Sequence, residues 1–347
     1  MMKTAVVILN WNTRDLLERF LPGLIVSVEG EGDAEVIVAD NASDDGSVEM
    51  MAEKFPSVRT IVLDRNYGFA EGYDRALEDI EAEYFVLINS DVEVSAGWLG
   101  PLTEWMDSHP ECGACGPKLH SWYERDRFEY AGAAGGYIDR YGYPFCRGRV
   151  LGMTETDNGQ YDEPKDVLWV SGACLMVRSE LFRKLGGFDR RFFAHMEEID
   201  LCWRIQLAGY RVTALPFSTV YHLGGGTLPM DSPSKLRLNH RNNLLMLDNN
   251  LALTVGKAKA SRIMMFRRFL DGCTALAYLS CGKTSRFRAL RQAHKEYRLL
   301  CKETGGTCRL SAPAGHVTGI YGGFILLQAM LKREKVFGLI GRIGRSA

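Results

Sequence analysis

Carboxylates gather at two places in this 347-residue chain, and each gathering borders an apolar run. The first is Asn89-Ser90-Asp91-Val92-Glu93, directly after the apolar residues 84–88. In an extended tail, residues two apart point the same way, so Asn89, Asp91 and Glu93 would aim at one spot. Hard oxygen ligands so spaced can hold Mg2+ or Mn2+, and a divalent cation can in turn hold a diphosphate. The bland reading is a solvated strand end or a helix cap. The second gathering is Glu197, Glu198 and Asp200, three acids within four positions where helical spacing begins. Acids there stabilise a helix N-terminus, yet repulsion among three should raise one pKa, which suits a general base. Both readings stay open on residue types alone. His222, beside the glycine run Gly224, Gly225 and Gly226, is a candidate third metal ligand or phosphate contact.

These residues need elements to position them. Residues 4–9, 35–39, 60–63 and 84–88 are apolar and branched without polar alternation, the pattern of strands buried on both faces. Helical spacing separates them, first through Leu16, Leu17, Phe20 and Leu21 up to Pro22-Gly23, later through Tyr73, Ala76, Leu77 and Ile80. Strand and helix alternate four times in the first 90 or so residues, which predicts an α/β fold: a doubly wound, mostly parallel sheet with helices on both faces. Right-handed crossovers gather successive strand ends on one sheet edge, so Asp40, Asn66 and Asp91 would share a cleft of the kind that binds nucleotides. No Gly-x-Gly-x-x-Gly follows the first strand and no Gly-x4-Gly-Lys-Ser/Thr occurs, which argues against a dinucleotide dehydrogenase or a P-loop enzyme. Residues 168–177 read as a further buried strand, in which Gly172 and Ala173 leave room for a ligand or backbone. Between residues 120 and 167 periodicity fails, the mark of an acceptor-contacting insertion or lid, or else of a surface excursion.

Composition bounds the rest. With 46% hydrophobic residues the chain can bury a large core in one or two domains. After residue 254 stand 18 Lys and Arg against four acids, a net of +14, while residues 1–254 carry −15. Residues 262–279 and 285–300 have apolar helical faces edged by Arg, so this basic region either packs on the body while lying against anionic lipid or is a solvated appendage. No basic and aromatic module for nucleic acid is present. The odd count of nine cysteines suggests a reducing compartment. Cys112 and Cys115 have metal or redox spacing, but without a second pair they read as a strand with two small buried thiols. The first residues lack a secretory apolar region, and no apolar run reaches the ~18 residues of a membrane span. The expectation is a cytoplasmic protein, peripheral on the inner face of the plasma membrane.

Seven stretches, VVILNWN (6–12), VIVADNASDDGS (36–47), NYGFAEGYDRAL (66–77), VLINSDVEV (86–94), VSGACLMV (170–177), LGGFDRRFFAHMEEIDLCWRIQLAGYRV (185–212) and VYHLGGGT (220–227), together resemble glycosyltransferase family 2, the inverting GT-A enzymes. Within it they are similar to the bacterial rhamnosyltransferase-like and galactofuranosyltransferase-like branch. The resemblance implies a GT-A nucleotide-sugar domain over residues 1–245, with the insertion at 120–167, and a basic, mainly helical region over 246–347. It implies donor binding by Asn10, Asn12, Asp40, Asn66, Gly68, Asn89, Asp91 and Gly172, with Asp40 on the nucleobase. Asn89-Ser90-Asp91 looks like a variant of the Asp-x-Asp motif that puts Asp91 on the metal. Glu93 is an extra acid nearby, and His222 completes the metal or diphosphate site. Glu198 stands where relatives have the Asp of a Glu-Asp motif, the base, with Glu197 and Asp200 as alternatives. Asp74 stands where relatives often carry Asn. The implied reaction is transfer, dependent on Mg2+ or Mn2+, from dTDP-rhamnose or a UDP-sugar to a hydroxyl of a growing, lipid-linked cell-surface polysaccharide. Two rivals remain: a nucleotidyltransferase, expected to show a Gly-rich basic triphosphate loop where NWNTRD stands, and a non-catalytic nucleotide- or glycan-binding module.

Overall fold

The computed structural model describes residues 2–224, 232–305, 310, 312–340 and 343. Its N-terminal part alternates β1 (Met2–Asn10), α1 (Arg14–Glu29), β2 (Ala34–Asp40), α2 (Ser47–Lys54), β3 (Arg59–Val62), α3 (Gly68–Ala76) and β4 (Ala82–Ile88). A short β5 (Val92–Val94), α4 (Gly100–Ser108) and β6 (Cys112–Ser121) follow. The segment after β6 holds β7 (Gly136–Asp139), β8 (Pro144–Cys146), β9 (Arg149–Val150), β10 (Met153–Thr154) and β11 (Lys165–Asp166). Then come β12 (Cys174–Arg178), α5 (Ser179–Lys184), α6 (Glu197–Leu207), β13 (Arg211–His222), α7 (Pro233–Val255), α8 (Lys257–Ser280), α9 (Thr284–Leu300), β14 (Ile320–Tyr321) and α10 (Ile325–Lys332).

The main sheet runs β11-β13-β6-β12-β4-β1-β2-β3, with β5 paired to β13. Pairs among β1, β2, β3 and β4 are parallel, whereas β12 runs antiparallel to β4 and β6. Side-chain parity explains the layering. In β1, Ala5 and Val7 join the core beneath α3, α5 and α6, while Val6 and Ile8 join the core beneath α1, α2 and α4. Phe85 and Leu87 of β4 divide from Tyr84, Val86 and Ile88 in the same way. A strand apolar at every position can satisfy both parities only between two helical layers.

Two expectations change, and the reading of Cys112 and Cys115 as small buried thiols holds. The first helix does not stop at Pro22-Gly23 but continues to Glu29, because Leu24 and Val28 extend its buried face and their burial outweighs the lost proline hydrogen bond. Residues 168–177 are not one strand: only Cys174–Arg178 is extended, since Cys174 N–H donates to Ser171 O and turns the chain before it. Cys112 and Cys115 are both buried in the sheet core, where burial pushes both thiols up.

The aperiodic segment folds into a second sheet, β10-β9-β8-β7-β14, around Phe128, Tyr137, Phe145 and Trp169. Its outer strand β14 comes from the far end of the chain and pairs parallel to β7. Helix α7 crosses residues 245 and 246 without a break. It packs on α8 and α9 around Asp271, whose carboxylate takes His240 Nδ1 and His294 Nε2, each at 3.0 Å, and the Arg267 guanidinium. Arg267 also lies over the Tyr143 ring at 4.2 Å, which ties these helices to the second sheet. Among the described residues no helix is long and apolar enough to cross a membrane.

Candidate active site

The carboxyl ends of β1, β2 and β4 meet at one edge. Asn10 and Asp40, the last residues of β1 and β2, pair in register, and Asn10 Nδ2 donates to Asp40 Oδ2 at 2.7 Å. Asp40 Oδ1 accepts from Ser43 N–H at 2.8 Å. Thr13 donates to Asn10 Oδ1, and its hydroxyl lies 2.8 Å from Ser90 Oγ. A continuous hydrogen-bonded chain thus links Asp40 to the residue before Asp91. Asn12, in a left-handed conformation with φ of 54°, exchanges hydrogen bonds with Asp44. Asn41 organises the neighbouring loop by donating to Asn66 Oδ1 and Gly68 O and accepting from Tyr67 N–H. Gly68 is required for itself: its φ is +75° and an added Cβ would lie 2.6 Å from Phe193 O.

Asp91 lies in the turn between β4 and β5, its side chain 10% exposed. Its Oδ1 is 3.1 Å from His222 Nε2. Behind, His222 Nδ1 is 3.4 Å from Glu129 Oε1, a partner from the aperiodic segment that sequence reading missed. Burial pushes the imidazole down, but the two flanking carboxylates outweigh it and raise it to about 10. Burial likewise opposes ionisation of Asp91, yet His222 holds its carboxyl below the ordinary range. The expected clustering of Glu93 with Asp91 does not form. The turn at Ser90–Asp91 breaks the extended geometry on which i, i+2 alignment depends. Glu93 instead pairs opposite Tyr221, while His222 faces Val92, and its carboxylate takes Trp122 Nε1 and Arg125 Nη2 at 2.8 Å each. Among the described residues no group of three or more His, Cys, Asp or Glu side chains could by itself hold a metal ion. Gly225, Gly226 and Thr227 lie outside the described residues.

The second cluster divides by partner. Asp200 is fully buried and fully used: it takes Arg204 Nε at 2.7 Å, Asn249 Nδ2 at 2.9 Å and Asn250 Nδ2 at 2.8 Å. Glu197 and Glu198 each keep a buried Oε2 without a hydrogen-bond partner. Burial, reinforced by the neighbouring Glu198, raises the Glu197 carboxyl well above its ordinary range, and burial pushes Glu198 up to about 7. A Cβ on Gly172 would lie 3.5 Å from Glu198 Cβ, so this stretch packs directly beside that side chain. Ala173 O accepts from Asn89 N–H at 3.1 Å, which brings this stretch beside the Asp91 turn.

The segment before α6 is strained. Phe193, His195 and Met196 have φ of 64°, 71° and 75°, costly for residues with side chains. Helix α7 holds them there, with Asn242 Nδ2 donating to the carbonyls of Phe192, Ala194 and His195. His195 is half-buried, with its Nε2 buried and unpartnered, and burial together with Lys235 lowers it to about 4. Asp74 braces the other end: Phe188 N–H donates to its Oδ1 at 2.8 Å, and burial pushes it up to about 7.

A family model described as glycosyl transferase family 2 matches residues 5–186, more than half of the chain. The chain belongs to glycosyl transferase family 2. Among curated relatives, the N-acetylglucosaminyl-diphospho-decaprenol L-rhamnosyltransferase of Mycobacterium tuberculosis is 28% identical over 257 residues, covering 70% of this chain and 83% of that protein. Among solved structures, GalNAc-T7 with UDP, GalNAc and Mn2+ superposes with a TM-score of 0.54 at 17% identity, over 72% of this chain and 48% of that one. The mannosyltransferase PcManGT from Pyrobaculum calidifontis, in complex with GDP-Man and Mn2+, gives 0.52 at 14% identity over 97% and 81%. These likenesses show the GT-A fold, and the sequence relatives place this family 2 member in the rhamnosyltransferase-like branch. It is therefore a glycosyltransferase, and neither a nucleotidyltransferase nor a bare binding module.

Proposed function

We propose that this family 2 enzyme transfers a sugar, with inversion, from a nucleoside-diphosphate sugar to a hydroxyl of a lipid-linked glycan at the cytoplasmic face of a membrane, with dTDP-rhamnose or a UDP-sugar as donor. The observation that carries the reading is Glu198: an acid pushed up to about 7, with one oxygen unpartnered, packed beside Gly172 and near the strand ends that hold Asp40 and Asp91. A base with a pKa near working pH is suited to remove the acceptor hydroxyl's proton as that oxygen attacks the anomeric carbon. Asp200 is committed to Arg204, and burial with Glu198 alongside raises Glu197 well above its ordinary range; both facts favour Glu198 as base.

On the donor side, Asp40 with Asn10 and Ser43 presents an ordered polar edge for the nucleobase, and Asn66, Gly68 and Asn89 line the neighbouring loops. Asp91 Oδ1 and His222 Nε2, 3.1 Å apart, offer one carboxylate and one imidazole. That pair would hold Mg2+ or Mn2+ with the ring in its neutral form, a bound cation taking the place of the proton that Asp91 and Glu129 stabilise on it. The cation, when bound, supplies charge neutralisation on the departing diphosphate. Relatives support each partner: the rhamnosyltransferase acts on a diphospho-decaprenol acceptor, and both structural neighbours were solved with Mn2+.

The test is a transfer assay with dTDP-rhamnose and UDP-sugars on a polyprenyl-diphosphate-linked acceptor, with Mn2+, Mg2+ or a chelator. Product of inverted configuration, formed only with metal and lost in Asp91→Ala, is the expected result. Full activity in chelator, or no transfer from any donor, overturns the reading.

A further inference from the structure

Helices α8 and α9 enclose a groove of about 500 Å³ remote in sequence from every residue assigned above. Five cations line it: Arg268, Arg288, Arg291, Lys295 and Arg298. The acid at its wall, Asp271, is consumed by His240, His294 and Arg267 and neutralises none of them. Among the described residues no carboxylate forms an ion pair with any of the five. Unpaired like charges held together repel one another, so the arrangement is stabilised by an anion that enters it.

The same helix carries a second, independent feature. Met265, Phe269 and Leu276 are 69%, 63% and 65% exposed on α8, at the four- and seven-residue steps that make one helical stripe. Arg268 neighbours Met265, and Gly272 neighbours both Phe269 and Leu276 at i, i+3 and i, i+4, so the stripe borders the groove along its length. The face opposite the stripe, with Ala260, Arg267 and Asp271, is the one packed on the body. The Tyr141 ring, 4.6 Å from Phe266 and 5.2 Å from Phe324, joins this surface to the start of α10, where Met330 and Leu331 are 76% and 72% exposed.

We propose that the α8–α9 surface docks on an anionic membrane, with the α8 stripe buried at the acyl boundary and a lipid phosphate seated in the basic groove. Apolar area plus attraction to anionic lipid is what binds an amphipathic helix in the interface plane. A soluble polyanion would use the cations but not the stripe; the membrane uses both, and the net +14 after residue 254 matches it in sign. The proposal rests on the lipid-linked acceptor of the preceding section, because it supplies the surface at which that acceptor is met.

The test is co-sedimentation of the full chain with vesicles of phosphatidylcholine alone or of equal parts phosphatidylcholine and phosphatidylglycerol, at low and high salt. Binding to the anionic vesicles only, weakened by salt, is expected. Arg288→Glu with Lys295→Glu, both exposed, should weaken it on the order of a hundredfold. Met265→Ser with Phe269→Ser should weaken it about tenfold while leaving the salt dependence in place. Transfer to a water-soluble acceptor analogue, unchanged in both double variants, shows that they fold and that the glycosyltransferase reading stands whatever the vesicles do. No binding to anionic vesicles by a chain active on that analogue overturns the proposal. So does thermal stabilisation by free inorganic phosphate without vesicle binding, which would make the groove a soluble-anion site.

Discussion

The two acidic centres on the sheet edge are built in opposite ways. At Asp91 every charge is answered: His222 lies between Asp91 and Glu129, and the imidazole is held charged by both. At Glu197 and Glu198 two carboxyl groups lie side by side with unpartnered oxygens, and burial keeps both up. A balanced centre holds charge steadily, which suits a cation and a diphosphate. An unbalanced one holds a proton weakly near neutral pH, which suits proton transfer. Asp200 marks the boundary between the two kinds, being as acidic by type as its neighbours yet tied to Arg204 and two asparagines.

Breaking the balanced centre should have the largest effect. Asp91→Ala is expected to lower transfer on the order of 10³-fold or more, the scale of several kcal/mol of charge stabilisation, in a steady-state assay with saturating metal. Wild-type turnover in that variant would remove Asp91 from the site. Glu198→Gln comes next, with kcat about 10²–10⁴-fold lower and donor binding by calorimetry unchanged. If donor affinity collapses with it, Glu198 is holding the fold instead.

The same centre sets a pH profile. A base works deprotonated, and burial raises Glu198 to about 7, so kcat/KM should rise with pH below about 7 and level above it. A profile already flat from pH 5 upwards would contradict the assignment. For stability the largest loss should come from Asp200→Ala, which strands the buried Arg204 guanidinium and destabilises by about 3–5 kcal/mol, seen as a lower urea midpoint. Smallest of all, Glu93→Ala removes a half-exposed pair with Arg125 of about 0.2–1 kcal/mol and should change transfer less than twofold. A loss as deep as that of Asp91→Ala would return Glu93 to the metal site.

What could be read from the chain alone was what depends on local pattern. Apolar runs without alternation located β1, β2 and β4 to within two residues, because a strand covered on both faces must be apolar at every position. Their alternation with helices pointed to the shared edge at which Asp40 and Asp91 were expected to meet with Asn66. Partners were another matter. Glu93 was misjudged because a turn at Ser90–Asp91, invisible in residue types, rotates it towards Trp122 and Arg125. Glu129 was missed because it comes from the aperiodic segment, which folds only by pairing with β14 from the chain's far end. That Asp200 is taken up was decided by Asn249 and Asn250 of α7, about fifty positions downstream. Backbone pattern is local and survives in one dimension. The protonation state of an acid depends on neighbours that only tertiary packing brings within hydrogen-bond reach, and so the site's chemistry was settled there.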